Sequence, residues 1–347
     1  MRLVTFVPPD GQPRAGALLG EAVVDLAAAA PFVIEEAEGL RWDMLSLLRG
    51  DQEEVTLDTA ADILAAVAQL VGAEPDLAGM PLDPDDPGLF ASEGGLEGSL
   101  SIGGAAMLYP LGQVRLLAPL PRPASLRVYA AFEEHAIALA TLRGGALPPA
   151  WYRGPAFAFA NHGSVLGPGA PLSAPVAESL DYGLGLACVI GRVARDLTPA
   201  EAAEAIAGYT LLNTWCARDH EELELALGLG PAKSRDFATS LGPWLATPDE
   251  IELYADDDGR LSLLLTAAVN GAERGRATAA GQFYPFAELI AHASRDVTLY
   301  PGDVIGSGPV GGGTLLEQTS SYGPWLEVGD TVTLEATGLG TLRNTIE

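Results

Sequence analysis

Positive charge is scarce in this chain of 347 residues: Lys and Arg total 19 against 46 Asp and Glu, giving a formal net charge of -27. Such a surface repels phosphate backbones and anionic membranes, so neither nucleic acid nor a membrane is expected as a partner. Cysteine is almost absent. Cys188 and Cys216 lie in apolar or strand-like context without metal-ligand spacing, which excludes a disulfide framework and a zinc site and reads as two buried small hydrophobes. No apolar run approaches the roughly 18 residues of a membrane span, and the start MRLVTFVPPDGQPRAG has no basic region followed by an apolar one. A soluble cytoplasmic protein is the expectation.

The length and a hydrophobic content of 48 % suggest two units with at least one substantial core. Residues 1–72 read as a small N-terminal domain. Arg2 to Val7 and Ala17 to Leu26 form a strand pair around the turn-prone Pro8 to Gly11. Asp58 to Val71 then carries Ile63, Leu64, Val67, Leu70 and Val71 at helical spacing, with Asp58 or Thr59 as N-cap and Gly72 as its end. Residues 73–113, with PLDPDDPG in their acidic, Pro/Gly-rich part, read as a loop or linker. From 114 to 347 strands outnumber helices without regular alternation, which argues for an α+β fold with a mixed sheet core. Helices are expected over Ala131 to Arg143, Pro199 to Ala207 and Phe286 to Ser294. Thr198, Pro199 and Glu201 supply a capping box to the second of these. Tyr209 to Trp215 reads as a strand, and Val269-Asn270-Gly271-Ala272 as a hairpin turn.

Two glycine patterns call for reasons. Gly306, Gly308 and Gly311 match GxGxxG after a strand, but no helix follows to meet a pyrophosphate, so a pocket-lining loop is expected rather than a dinucleotide site. Gly183 and Gly185 share one face of the buried-strand pattern LDYGLGLACVIG. Each costs roughly 0.5–1 kcal/mol relative to alanine inside a strand.

The stretches LRVYAAFEEH, WYRGPAFAFANHGSVLGPG, SLDYGLGLACVIGRVARDLTPAEAAEAIAGYTLLNTWCARD, GLGPAKSRDFATSLGPWLATPDEIE, VNG and LYPGDVIGSGPVGGGTLLEQ together resemble the fumarylacetoacetate hydrolase family, over roughly Val114 to the end. The resemblance implies a β-roll of mixed sheets behind a small β-rich N-terminal domain, usually as a homodimer. It also implies Mg²⁺ or a related hard cation held by four carboxylates, a donor set that suits such a cation. The matching positions here are Val128, Gly183, Gly185 and Thr214. None is a carboxylate, so no metal or other cofactor is expected at them. Asp181 and Asp219 are the neighbouring acids weighed as substitute ligands.

The family's general base and its activating glutamate match His135 and Glu317, and its lysine matches Arg235. These three are the catalytic candidates. Arg218, Lys233, Arg143 and Tyr152 are the candidates for binding substrate, and Pro309 stands where the family has a threonine. The implied substrate is a small 2-oxo or 1,3-dicarbonyl acid. Losing a Lewis acid worth several kcal/mol costs on the order of a thousandfold in rate, so parental activity is not expected unchanged. Three readings follow: a metal-independent enzyme of C–C hydrolysis or related enolate chemistry, a silent relative that binds an organic acid or acts as an interaction subunit, and a metal enzyme with non-standard ligands.

Overall fold

The computed structural model describes residues 1–8, 11–72, 100–102, 105–320 and 323–347. The fold is α+β, dominated by a 13-stranded sheet. Its main path runs 100–102, 105–110, 22–25, 14–19, 2–7, 239–246, 206–213, 184–190, 304–309, 126–129 and 157–159, with 115–116 and 165–166 paired off this path. Most pairings are antiparallel, but Val304–Pro309 runs parallel to Leu126–Tyr129, which makes the sheet mixed. A four-stranded sheet of 272–278, 264–269, 331–336 and 340–345 packs nearby, and a two-stranded one joins 180–181 to 216–217.

The N-terminal strands belong to the main sheet: Arg2 and Leu3 pair with Ala246 and Leu245. The apolar stretch 17–26 divides into the end of Arg14–Leu19 and Ala22–Asp25, because Gly20 takes a positive φ of 56° and reverses the chain. The following helix is Leu57–Val71. Thr56, not Asp58 or Thr59, is its N-cap, accepting from the Thr59 amide, and Gly72 ends it at φ 68°. Leu70 points to solvent, while Ile63, Leu64 and Val67 are buried. Much of the expected linker, 73–99, lies outside the described residues; Leu100–Ile102 and Ala105–Pro110 are strands that extend the sheet beyond Ala22–Asp25.

In the second unit the helix Glu133–Leu142 begins two residues later than its pattern suggests, and the capping-box helix stops at Ala203. The strand Ile206–Asn213 already claims the residues that continued its apolar pattern, since sheet pairing outweighs helix propensity there. Phe286–Ser294 is a helix, and Asn270 and Gly271, at φ 52° and 77°, make the hairpin turn.

The strand Leu184–Ile190 lies inside the main sheet with both faces covered, which accounts for its unbroken apolar run. Leu184, Leu186, Cys188 and Ile190 enter one core, with Trp215 and Leu265. Ala187 and Val189 enter the other, with Val128 and Leu212. By alternation Gly185 faces the second side, and Gly183, just before this strand, lies against Thr214 and Pro309.

Candidate active site

The helix Glu133–Leu142 starts immediately after the strand Leu126–Tyr129 and its short turn, with Glu133 and Glu134 in its first turn, where acids favour the N-terminal dipole. His135 is in that same turn, 4 % exposed. The glycine-rich loop after Val304–Pro309 crosses in front of it. Gly308, in the last residues of that strand, has φ 77° and no room for a side chain beside the Tyr129 carbonyl, so only glycine lets the strand end pass there into the loop.

That loop leads to the four-residue helix Leu315–Gln318, whose N-cap is Thr314 and whose third residue is Glu317. Oε2 of Glu317 lies 2.9 Å from Nδ1 of His135, both side chains being 5 % exposed. The ring is turned so that this close approach falls outside aligned hydrogen-bond geometry, leaving Nδ1 without a hydrogen-bond partner among the described residues. Glu317 also accepts from the Gly312 amide at 3.0 Å and the Thr314 hydroxyl at 2.7 Å. Burial pushes its carboxyl up, but His135, the Thr314 hydroxyl and the Gly312 amide outweigh burial and hold it below the ordinary carboxylate value. The pair therefore places a carboxylate that favours its ionised form within 2.9 Å of an imidazole, where it can stabilise an imidazolium.

Behind this pair runs a chain of buried charges that the sequence left unconnected. Asp181, fully buried, accepts from the amides of Leu315 at 2.8 Å and Leu316 at 3.2 Å, anchoring the start of the Glu317 helix. It also takes Nε and Nη2 of Arg218, each at 2.8 Å. Nη1 of Arg218 reaches Glu221 at 2.7 Å, and the other Glu221 oxygen receives Arg235. Burial pushes the Asp181 carboxyl up against the pull of Arg218 and the two amides. It likewise opposes ionisation of Glu221, but Arg235 and Arg218 together bring that group far below the usual range.

Thus Arg218, expected to bind substrate, has all three of its nitrogens on protein carboxylates. Arg235 has Nη2 on Glu221 while its Nε has no hydrogen-bond partner among the described residues. Lys233 is exposed and pairs with Asp236 at 3.0 Å. Arg143 is exposed just beyond its helix. Tyr152 donates to Glu133 at 2.6 Å, two residues from His135. Asp219 is directed elsewhere, accepting from the Glu178 amide.

The four positions expected to hold a cation do not fit one. Val128 is apolar and packed, and Thr214 gives its amide to the Gly183 carbonyl at 3.0 Å. A Cβ on Gly183 would run into Oγ1 of Thr214, with Pro309 Cγ and the Thr214 carbonyl at 3.0 Å. On Gly185 it would strike the Gly308 carbonyl oxygen, with Ser307 Oγ at 3.3 Å. The glycines therefore do not border an open space: a hydroxyl and a backbone carbonyl fill the positions that carboxylate side chains would need. Among the described residues, no group of three or more His, Cys, Asp or Glu has metal-binding geometry.

A mixed sheet that brings a glutamate from one helix against a histidine from another, beside four clamp positions drawn from separate segments, is what the fold and site together present. The signature described as "Fumarylacetoacetate (FAA) hydrolase C-terminal" matches residues 125–347, and the chain belongs to that family. It is similar to protein Rv2993c of Mycobacterium tuberculosis, with 30 % identity over 239 residues covering 69 % of this chain and 80 % of that one. It is also similar to the 4-hydroxyphenylacetate degradation bifunctional isomerase/decarboxylase of Salmonella dublin, 37 % identical over 49 % of this chain and 35 % of the relative. Among solved structures, the fumarylacetoacetate hydrolase of Exiguobacterium antarcticum superposes with a TM-score of 0.64 at 23 % identity, covering 100 % of this chain and 99 % of that one, a likeness of fold. Maleylpyruvate hydrolase from Sphingobium, solved with manganese(II) and pyruvate, gives 0.63 at 21 % identity, covering 100 % and 98 %.

Asp181 and Glu221 are the residues whose roles sequence reasoning missed. Asp181 was visible as a neighbouring acid, but its direction toward Leu315 depends on a contact 134 positions along the chain. Glu221, three residues after Arg218, carried an i,i+3 signal that could have identified it.

Proposed function

We propose that this protein acts on a small 2-oxo or 1,3-dicarbonyl acid by metal-independent general-base chemistry. The observation that carries this reading is the 2.9 Å approach of His135 to Glu317, both buried. Glu317, kept ionised, stabilises the imidazolium that forms when His135 takes a proton, either from water attacking a carbonyl or from carbon next to one. In the hydrolytic case, water adds to one carbonyl, the C–C bond breaks, and its electron pair leaves as an enolate that recovers a proton from the imidazolium. Arg235, part-exposed and held on Glu221, supplies positive charge for the carboxylate or enolate oxygen. The family relatives named as an isomerase/decarboxylase, a maleylpyruvate hydrolase and an oxaloacetate tautomerase support a small organic acid as the substrate class.

The experiment is turnover of acylpyruvates and related 2-oxo acids in excess EDTA. Wild type is expected to consume them and His135→Ala to lose activity by the 10²–10⁴-fold typical of general-base catalysis. Equal turnover in His135→Ala would remove the pair from the mechanism. Two observations favour a second reading, a silent binder of organic acids or an interaction subunit: His135 is only 4 % exposed, and Arg218 is neutralised within the protein. Ligand-induced thermal stabilisation without turnover would establish that reading instead. A cytoplasmic homodimer belongs to the same proposal. The two buried, unpaired cysteines support a reducing compartment, and sedimentation would test the dimer.

A further inference from the structure

A cleft of about 590 Å³ opens where the helix Phe286–Ser294 meets the segments 152–155 and 196–199. Its size is that of small-molecule sites, which run from about 300 to 1,000 Å³. None of the residues matched to the family's chemistry lines it except Tyr152.

The helix presents Glu288, Ala291 and His292 to the cleft, positions i, i+3 and i+4 of one face, and Arg295, its C-cap in extended backbone, joins them just beyond the last turn. Its other residues Leu289, Ile290 and Ala293 are buried in the core. The cleft floor is therefore bipolar: an acid in the first turn of the helix, a cation just past its C-terminal end, and an imidazole between, next to the small Ala291.

The imidazole is set in one tautomer. Tyr129 Oη lies 3.0 Å from the Leu289 carbonyl, which can only accept, and 2.9 Å from Nδ1 of His292; both contacts are hydrogen bonds together when the phenol donates to the carbonyl and Nδ1–H donates to the phenol oxygen. Burial and the nearby Arg295 both lower the pKa of His292, which favours the neutral ring. Its Nε2 is left as an acceptor for a ligand hydroxyl.

Arg153 lies across the cleft, and neither it nor Arg295 has a carboxylate partner among the described residues. Asp196 is already engaged by Arg195 at 3.1 Å and the Asp296 amide at 2.6 Å. Glu288 repels carboxylates from its own end and so orients them toward the arginines. The remaining wall is aromatic. Tyr152 and Tyr284 spend their hydroxyls on Glu133 and the Trp151 carbonyl, and pack edge-on or tilted against Trp151 and Phe283 with centroids 4.8–5.7 Å apart. Tyr284 is buried behind this wall, and the half-exposed Tyr152 offers ring surface to a planar ligand.

We infer that this cleft is a second binding site, separate from the His135–Glu317 pair, for a hydroxylated aromatic carboxylate whose hydroxyl meets His292 and whose carboxylate meets Arg153 and Arg295. Calorimetric titration of the full chain with 4-hydroxybenzoate tests it, with benzoate and phenol as probes that each lack one anchor. Saturable binding is expected for 4-hydroxybenzoate and at least about tenfold weaker binding for either partial probe, the scale of a lost charge-assisted or buried hydrogen bond. Arg153→Gln and Arg295→Gln, both exposed and expected to fold, should each weaken binding by about tenfold or more. In His135→Ala binding should be unchanged. No saturable binding, equal binding of the partial probes, arginine variants that bind like wild type, or loss of binding in His135→Ala would each overturn the inference.

Discussion

Adding one methyl group to the strand at Gly185 should cost this protein about 2 kcal/mol. An alanine Cβ there would strike the Gly308 carbonyl oxygen, with the Gly308 carbonyl carbon at 3.1 Å and Ser307 Oγ at 3.3 Å. None of these neighbours can swing aside. Gly308 is held at φ 77° against the Tyr129 carbonyl, and Ser307 Oγ both accepts from the Leu186 amide at 3.0 Å and donates to the Gly308 carbonyl at 2.7 Å. Overpacking of this kind costs about 1–3 kcal/mol, and losing the Leu186–Ser307 bond adds about 1 kcal/mol. Removing a strand glycine returns roughly 0.5–1 kcal/mol. At Gly183 the obstacle is mainly the Thr214 side chain, which can yield. Gly183→Ala should therefore be milder and should couple with Thr214→Ala by about 0.5–1 kcal/mol, a range typical of residues in contact. Gly185→Ala should gain nothing from Thr214→Ala. Urea unfolding of the three single and two double variants reads both effects. A neutral or stabilising Gly185→Ala would mean that the space beside this strand is open, and would refute the account of how the clamp positions are filled.

Other outcomes follow from the buried charges. Arg218→Met strips Asp181 of its cation and should cost about 3–5 kcal/mol in the same unfolding assay, as breaking a buried pair does. By contrast Arg276→Gln, which breaks an exposed, solvent-screened pair with Glu273, should leave the unfolding midpoint unchanged. Glu317 has a folded pKa below its ordinary 4.5, so its ionised contacts stabilise the fold fully above about that pH and fade as pH falls through the folded value. The stability gap between wild type and Glu317→Gln should accordingly be flat from pH 7 to about 5 and narrow below 4.5, as read by unfolding at stepped pH.

Local signals carried much of the fold. The capping box at Thr198, the Asn270-Gly271 turn and the helix Phe286–Ser294 are short-range features, and each lies where its residues place it. Boundaries moved where sheet pairing competed with propensity, as at Ile206–Asn213. The site was legible as a set of positions, through motif likeness, and not as contacts. That Arg218 serves Asp181 and not a ligand depends on the fold bringing 181, 218 and 315 together, which no spacing in the chain encodes. Likewise the two glycines declared missing side chains, but only the loop's approach shows that Gly308 and Thr214 occupy the room. The cleft beside His292 assembles three separate segments and left no motif at all.

The central claim is that the family's cation clamp has been replaced by packing while the His135–Glu317 pair persists. Elemental analysis of protein purified without chelator, and again after incubation with Mg²⁺ or Mn²⁺ and gel filtration, tests it most directly. The account predicts far less than one cation per chain in both preparations. A stoichiometric divalent cation, retained through gel filtration, would contradict it.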